Sequence, residues 1–162
     1  MFQFFKKKKG IEVNAVVKGK VKNLSEVEDP VFSKGLAGRG IAIVPEEGTF
    51  KVPCDGTLTA VFPTGHAFGL TDEFGMEYLV HIGTDTVKLG GEGFQCLVKQ
   101  GQKVKKGDVL VEVNLDVLRE KGVPLDTMVL VATPEEQCNM QFMKKQGDMV
   151  NTTDIIFSCE KK

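Results

Sequence analysis

From Ile11 onward the chain is a series of short apolar runs broken by clusters of Gly, Pro and Asp. Val13 to Val17, Ile41 to Val44, Thr57 to Phe62, Met76 to Ile82, Val109 to Val113, Thr127 to Val131 and Ile155 to Phe157 are rich in β-branched or aromatic residues. Such side chains fit a pleated, half-buried surface, so each run predicts a strand. The breaks between them carry turn chemistry: Pro45-Glu46-Glu47-Gly48, Cys54-Asp55-Gly56, Gly90-Gly91-Glu92-Gly93 and Lys106-Gly107-Asp108. Helical spacing is confined to Leu115–Lys121, where Leu115 and Leu118 share a face and Gly122 closes the segment before Pro124. Pro134-Glu135-Glu136-Gln137 predicts the start of a second short helix. The pattern predicts an all-β antiparallel sandwich or flattened barrel with one or two short helices.

One loop-and-strand unit occurs twice. Lys99-Gln100-Gly101-Gln102-Lys103-Val104-Lys105-Lys106-Gly107-Asp108 returns as Lys145-Gln146-Gly147-Asp148-Met149-Val150-Asn151-Thr152-Thr153-Asp154, and each copy runs into an aliphatic strand. A unit of this size cannot bury its apolar face alone, which predicts that both copies pack into one core. The arrangement resembles the barrel-sandwich hybrids, a group that includes biotinyl and lipoyl carrier domains. An architecture of this kind does not by itself fix a function.

Composition narrows the classes. The chain has 162 residues, 41% of them hydrophobic, enough for a single core over residues 11–162. Its 21 basic and 22 acidic side chains leave a net charge of −1, which argues against a nucleic-acid partner. The local exception is Lys6–Lys9, directly after Phe2, Phe4 and Phe5. Residues 1–10 read first as a flexible, solvated segment. The second reading is a short membrane-surface tag, which would place the protein at the periphery of the membrane. No apolar run approaches the roughly 20 residues of a membrane span, and the lysines follow the apolar residues, unlike a secretory signal. Cys54, Cys96, Cys138 and Cys159 lack C-x-x-C spacing and read as free thiols of a reducing cytoplasm.

The candidate chemistry lies in the two histidines, His66 in Pro63-Thr64-Gly65-His66-Ala67-Phe68-Gly69 and His81 in Val80-His81-Ile82-Gly83-Thr84-Asp85-Thr86-Val87. Imidazole titrates near neutrality and serves as nucleophile, metal ligand or general acid–base. Two hydrogen-bonded structural histidines remain the plain alternative. The surroundings of His81 favour the nucleophile. Gly83 has no side chain to block a phosphoryl group, and its carbonyl is placed to orient the ring, leaving the other nitrogen its lone pair. Asp85 is near in sequence, and Asp29 is a candidate neighbour in space. Carboxylates with few cations nearby suit a carrier that passes a phosphoryl group on and docks basic partners. A P-loop or an Arg/Lys phosphate clamp, expected of a kinase or phosphatase, is absent from the sequence.

Two rivals are weaker. His81-x-x-x-Asp85 resembles part of the ligand set of LytM-type zinc endopeptidases, but their His-x-His element is missing. A zinc ion shared by His66 and His81 stays open, with further ligands from water or a partner. No other cofactor is indicated. Met143-Lys144 resembles the lysine hairpin of a biotin carrier, but Lys145 follows it and the Glu-Ala lead-in is missing.

Several longer stretches occur together: Glu28-Asp29-Pro30-Val31-Phe32-Ser33, Gly40-Ile41-Ala42-Ile43, Pro53-Cys54-Asp55-Gly56-Thr57, Phe62-Pro63-Thr64-Gly65-His66-Ala67, and His81-Ile82-Gly83-Thr84-Asp85-Thr86-Val87, the last continuing to Gly91-Glu92-Gly93-Phe94. In this order they closely resemble the glucose-family enzyme IIA of the bacterial phosphoenolpyruvate-dependent sugar phosphotransferase system. The resemblance implies a cytoplasmic, monomeric phosphocarrier, one domain without a fused permease. His81 would accept a phosphoryl group from the histidine-containing phosphocarrier protein and pass it to the IIB domain of a sugar permease. His66 and Thr64 would stabilise the group in transfer. Val31, Phe32 and Phe68 would form an apolar collar, with Asp29 and Asp85 as docking points. Relatives that bind transporters or kinases when unphosphorylated imply a second role, and a purely regulatory binding module is the alternative. One departure stands out: Gly38-Arg39-Gly40 replaces the family's usual Gly-Asp-Gly, and Arg39 at the docking face would change how a basic partner is received.

Overall fold

The computed structural model describes residues 10–162. The chain runs through β1 (Gly10–Asn14), β2 (Gly19–Asn23), α1 (Pro30–Ser33), β3 (Arg39–Pro45), β4 (Thr49–Lys51), β5 (Gly56–Val61), β6 (Ala67–Thr71) and β7 (Glu77–Ile82). It continues through β8 (Phe94–Cys96), β9 (Lys103–Val104), β10 (Val109–Val113), α2 (Leu115–Glu120), β11 (Thr127–Val131), β12 (Cys138–Phe142), β13 (Met149–Val150) and β14 (Ile155–Lys161). Gly10 pairs with Glu160 in β1, so the strand begins three residues before the predicted Val13–Val17 run and ends at Asn14. The Phe2–Lys9 run lies outside the described residues. Pro134-Glu135-Glu136-Gln137 forms a single 3-10 turn over Glu135–Gln137 rather than an α-helix.

The strands form an antiparallel eight-stranded sheet in the order β13-β2-β3-β11-β7-β6-β5-β9, and two three-stranded sheets, β1-β14-β12 and β4-β10-β8. The edges β13 and β9 do not pair with each other, so the large sheet is open and the fold is a sandwich rather than a closed barrel. β11 is central, between β3 and β7, and every one of its residues is buried. That double-sided burial is why its sequence is apolar without alternation.

The two faces of the large sheet have different cover. The inner face packs Ile41, Ile43, Phe68, Leu70, Tyr78, Val80, Ile82, Val129 and Val131 against the small sheets and α2. The outer face carries Ala42, Met128 and Leu130, capped by Val27 and Phe32 from the α1 region. α1 has only four residues, too few to be stable on propensity alone. Two features hold it: the Asp29 carboxylate accepts the Val31 N–H at 2.9 Å as N-cap, and Pro30 occupies the first turn.

The sequence repeat is a structural one. Gly101 N–H donates to Leu58 O and Gly147 N–H to Val21 O, which joins β9 to β5 and β13 to β2. Asp108 accepts the Lys105 N–H at 2.8 Å and Asp154 the Asn151 N–H at 2.7 Å. Val104 and Val150 enter the same core. The copies sit at opposite edges of the large sheet, however, and reach one core from its two ends.

Candidate functional site

The site is assembled where β6 and β7 meet below α1. β7 pairs with β6 through Ala67 opposite His81, and with β11 through Met128 opposite His81. Directly paired residues point to the same side of a sheet. His81 therefore shares the outer face with Met128, and Met128 is opposite Ala42. Phe32, seated on that apolar patch, brings its ring to 4.8 Å from the His81 ring.

His66 immediately precedes β6. Its carbonyl accepts the Ile82 N–H at 2.7 Å, which holds it beside the end of β7. The two imidazoles are in edge-to-face contact, with centroids 5.0 Å apart and planes at 80°. Gly65 precedes His66 with φ +76°, a left-handed turn that glycine adopts at no steric cost. Thr64 Oγ1 shares a hydrogen bond with His66 Nδ1.

The second ring is fixed differently. His81 Nδ1 lies 2.8 Å from Gly83 O. A carbonyl only accepts, so Nδ1 carries the proton and Nε2 keeps its lone pair. Burial lowers the pKa of His66 from 6.5 to about 4, with a smaller contribution from His81 in the same direction. Burial also lowers that of His81, opposed by the bond to Gly83 and by the charge of Asp29. Both rings are thus neutral at pH 7, the form in which an imidazole is a nucleophile.

The predicted docking residues separate into three groups. Asp29 is near enough to act on His81, and Phe32 covers it. Val31 and Asp85 are both exposed, Asp85 with φ 59° and 3.9 Å from Lys88. Phe68 does not belong with them. It is 1% exposed and opposite Val80, so it faces the inner core and cannot touch a partner. Phe62 takes that place: it is 44% exposed, and its ring meets His66 edge-on at 5.4 Å. Val87 lies in a 3-10 turn rather than in a strand and is exposed, as is Leu36, whose N–H donates to Val31 O. The signal for Phe62 was present in the sequence: an aromatic beside a Pro-Thr-Gly turn has no strand neighbour to cover it.

Arg39 is engaged elsewhere. It starts β3 opposite Val131, its guanidinium donates to Cys138 O and Sγ, and Glu135 lies 3.7 Å away. Its charge is held at the start of β3, against Cys138 of the neighbouring small sheet, and is not among the charges acting on either imidazole. For a metal, the pair offers two ring nitrogens; no cluster of three or more ligating side chains forms among the described residues. Zinc would need its remaining ligands from outside them. No helix among these residues is long and apolar enough to cross a membrane.

Comparison with known proteins bears on this geometry. Residues 11–137 match the model of the family described as phosphoenolpyruvate-dependent sugar phosphotransferase system, EIIA 1. The structure is similar to that of glucose permease IIA from Mycoplasma capricolum, with a TM-score of 0.85 and 35% sequence identity over 97% of this chain and 99% of that one. This chain belongs to the enzyme IIA family of the phosphoenolpyruvate-dependent sugar phosphotransferase system, in which it is a phosphocarrier.

Proposed function

We propose that His81 is the residue that carries the phosphoryl group, accepting it from the phosphohistidine of the histidine-containing phosphocarrier protein and giving it to the IIB domain of a sugar permease. The observation that supports this most is the His81 Nδ1 to Gly83 O bond beside a second neutral imidazole. In the accepting step the Nε2 lone pair forms the new N–P bond. The donor's N–P bond breaks, and the donor nitrogen keeps that electron pair. His81 retains its Nδ1 proton, so the product ring is a phosphoimidazolium, and Gly83 O and Asp29 both favour its positive charge. A cationic ring is a good leaving group, and delivery to IIB reverses the same bond changes.

His66 supports the transferring state. With the Thr64 hydroxyl donating to Nδ1, His66 keeps its own proton on Nε2, free to donate to a phosphoryl oxygen. Phe32 and Phe62 shield the two rings from water, which protects phosphohistidine from hydrolysis. Val31, Leu36 and Val87 offer exposed apolar surface for the partner proteins.

The test uses phosphoenolpyruvate with the two general phosphotransfer proteins. His81→Gln is expected to abolish labelling, whereas His66→Gln still takes up phosphate but fails to deliver it to a IIB domain. Full labelling of the His81→Gln protein would sink the assignment.

A further inference from the structure

The carbonyl that fixes His81 belongs to a residue with little conformational restraint of its own. Gly83 has φ +72°, and Asp85, two residues on, is the only non-glycine with positive φ among the described residues. Glycine explores more ψ than any other residue, so its carbonyl is aimed only if the flanking peptide units are pinned. Both are. Thr84 N–H donates to Pro124 O at 3.2 Å. In a trans peptide the N–H of residue 84 and the C=O of residue 83 point in opposite directions. Anchoring that N–H on Pro124 therefore turns Gly83 O back toward His81.

The preceding unit is held by Thr86, which is completely buried. Its Oγ1 donates to Ile82 O at 2.7 Å. Its methyl Cγ2 lies against the glycine, only 2.5 Å from where a Cβ on Gly83 would be. One side chain thus grips the peptide before Gly83 with its hydroxyl and the α-carbon with its methyl.

We infer that Thr86 is a positioning residue for phosphoryl transfer, acting through Gly83 to keep the His81 proton on Nδ1 and the lone pair on Nε2. The effect on the tautomer stands on the geometry alone; the effect on transfer rests on the reading of His81 as phosphoryl acceptor.

The experiment compares Thr86→Val, which keeps the shape and loses the hydroxyl, with Thr86→Ser, which keeps the hydroxyl. The ring ¹⁵N shifts of His81 in the unphosphorylated protein at pH 8 report the tautomer, and labelling by phosphoenolpyruvate and the general proteins reports transfer. Thr86→Val is expected to admit the Nε2–H tautomer and to slow labelling roughly threefold to tenfold, the change one lost hydrogen bond produces. Thr86→Ser is expected to keep the Nδ1–H tautomer and most of the rate. Should the valine variant not fold, Thr86→Ala, which cannot overpack the site, carries the same expectation. A wild-type tautomer in a folded variant lacking the hydroxyl overturns the inference, as does a serine variant as defective as valine. A changed tautomer with undiminished labelling would instead overturn the acceptor role of His81 and leave the positioning of the ring intact.

Discussion

Gly83→Ala separates the strain of a left-handed residue from the crowding around it. A Cβ on Gly83 would lie 2.5 Å from Thr86 Cγ2 and 2.8 Å from Pro124 O. Gly90 is the matched control: its φ is +60°, and a Cβ there meets nothing within 4 Å. Both substitutions incur the left-handed penalty of about 1–2 kcal/mol. Only the first adds overpacking, about 1–3 kcal/mol, because one obstacle is a backbone oxygen that cannot rotate away. In a chain of this size that difference lowers Tm by about 2–12 °C more than Gly90→Ala does. Urea unfolding of the two variants measures it directly. The displaced carbonyl should also release His81 Nδ1, so the folded Gly83→Ala protein is expected to label slowly. Unfolding free energies within about 0.5 kcal/mol of each other would refute the crowding argument.

Two further predictions concern pH and the repeat. The native pKa of His66, about 4, is below its unfolded value of 6.5, so the unfolded chain binds more protons between those values. Stability should rise with pH across that window, be complete above it, and fall by on the order of 3 kcal/mol as pH drops through it; His66→Gln should flatten the slope, and an unchanged slope would show that the ring titrates normally. Asp108→Ala and Asp154→Ala each remove one carboxylate-to-backbone bond in equivalent turns and should each cost about 1 kcal/mol. Because the copies occupy opposite edges of the sheet, the double variant should be additive within about 0.5 kcal/mol, and a larger coupling in denaturant titrations would contradict that separation.

The elements most legible in the sequence were those whose residues answer to burial alone. Val109–Val113 and Thr127–Val131 are strands with the boundaries their β-branched runs predict. Elements defined by partners rather than composition were hidden. β2 is Gly-Lys-Val-Lys-Asn and β12 is Cys-Asn-Met-Gln-Phe, and both are strands because β3 and β14 supply the ladder. α1 is too short to show a helical period. Phe68 was placed in the collar by the resemblance, not by strand alternation. His66 lies outside the strand, just after the Gly65 turn, so the alternation starts at Ala67 and Phe68 points inward. The histidine pair itself was legible because Gly65 and Gly83 mark the turns beside the two rings.

The electrostatics of the site explain why a carrier is built without cations. Burial, not charge, is the largest influence on both imidazoles. Among the described residues no lysine or arginine acts on either ring, and the one formal charge that acts on His81 is that of Asp29. An Arg clamp would stabilise the phosphoryl dianion itself and make departure costly. Here the support falls on the ring instead: Gly83 O holds the Nδ1 proton, and Asp29 favours a positive imidazole. Under the proposed transfer, phosphorylation at Nε2 would create that positive ring, so stabilisation would arrive with the bond without tying the phosphoryl oxygens to the protein. Arg39 leaves this balance undisturbed because Cys138 and Glu135 hold it at the far end of the sheet. The departure at Arg39 thus bears on the packing of β3 against the β12 region, whereas under the proposed transfer the ability to hand the group on would depend on Gly83, Asp29 and the side chains that fix them.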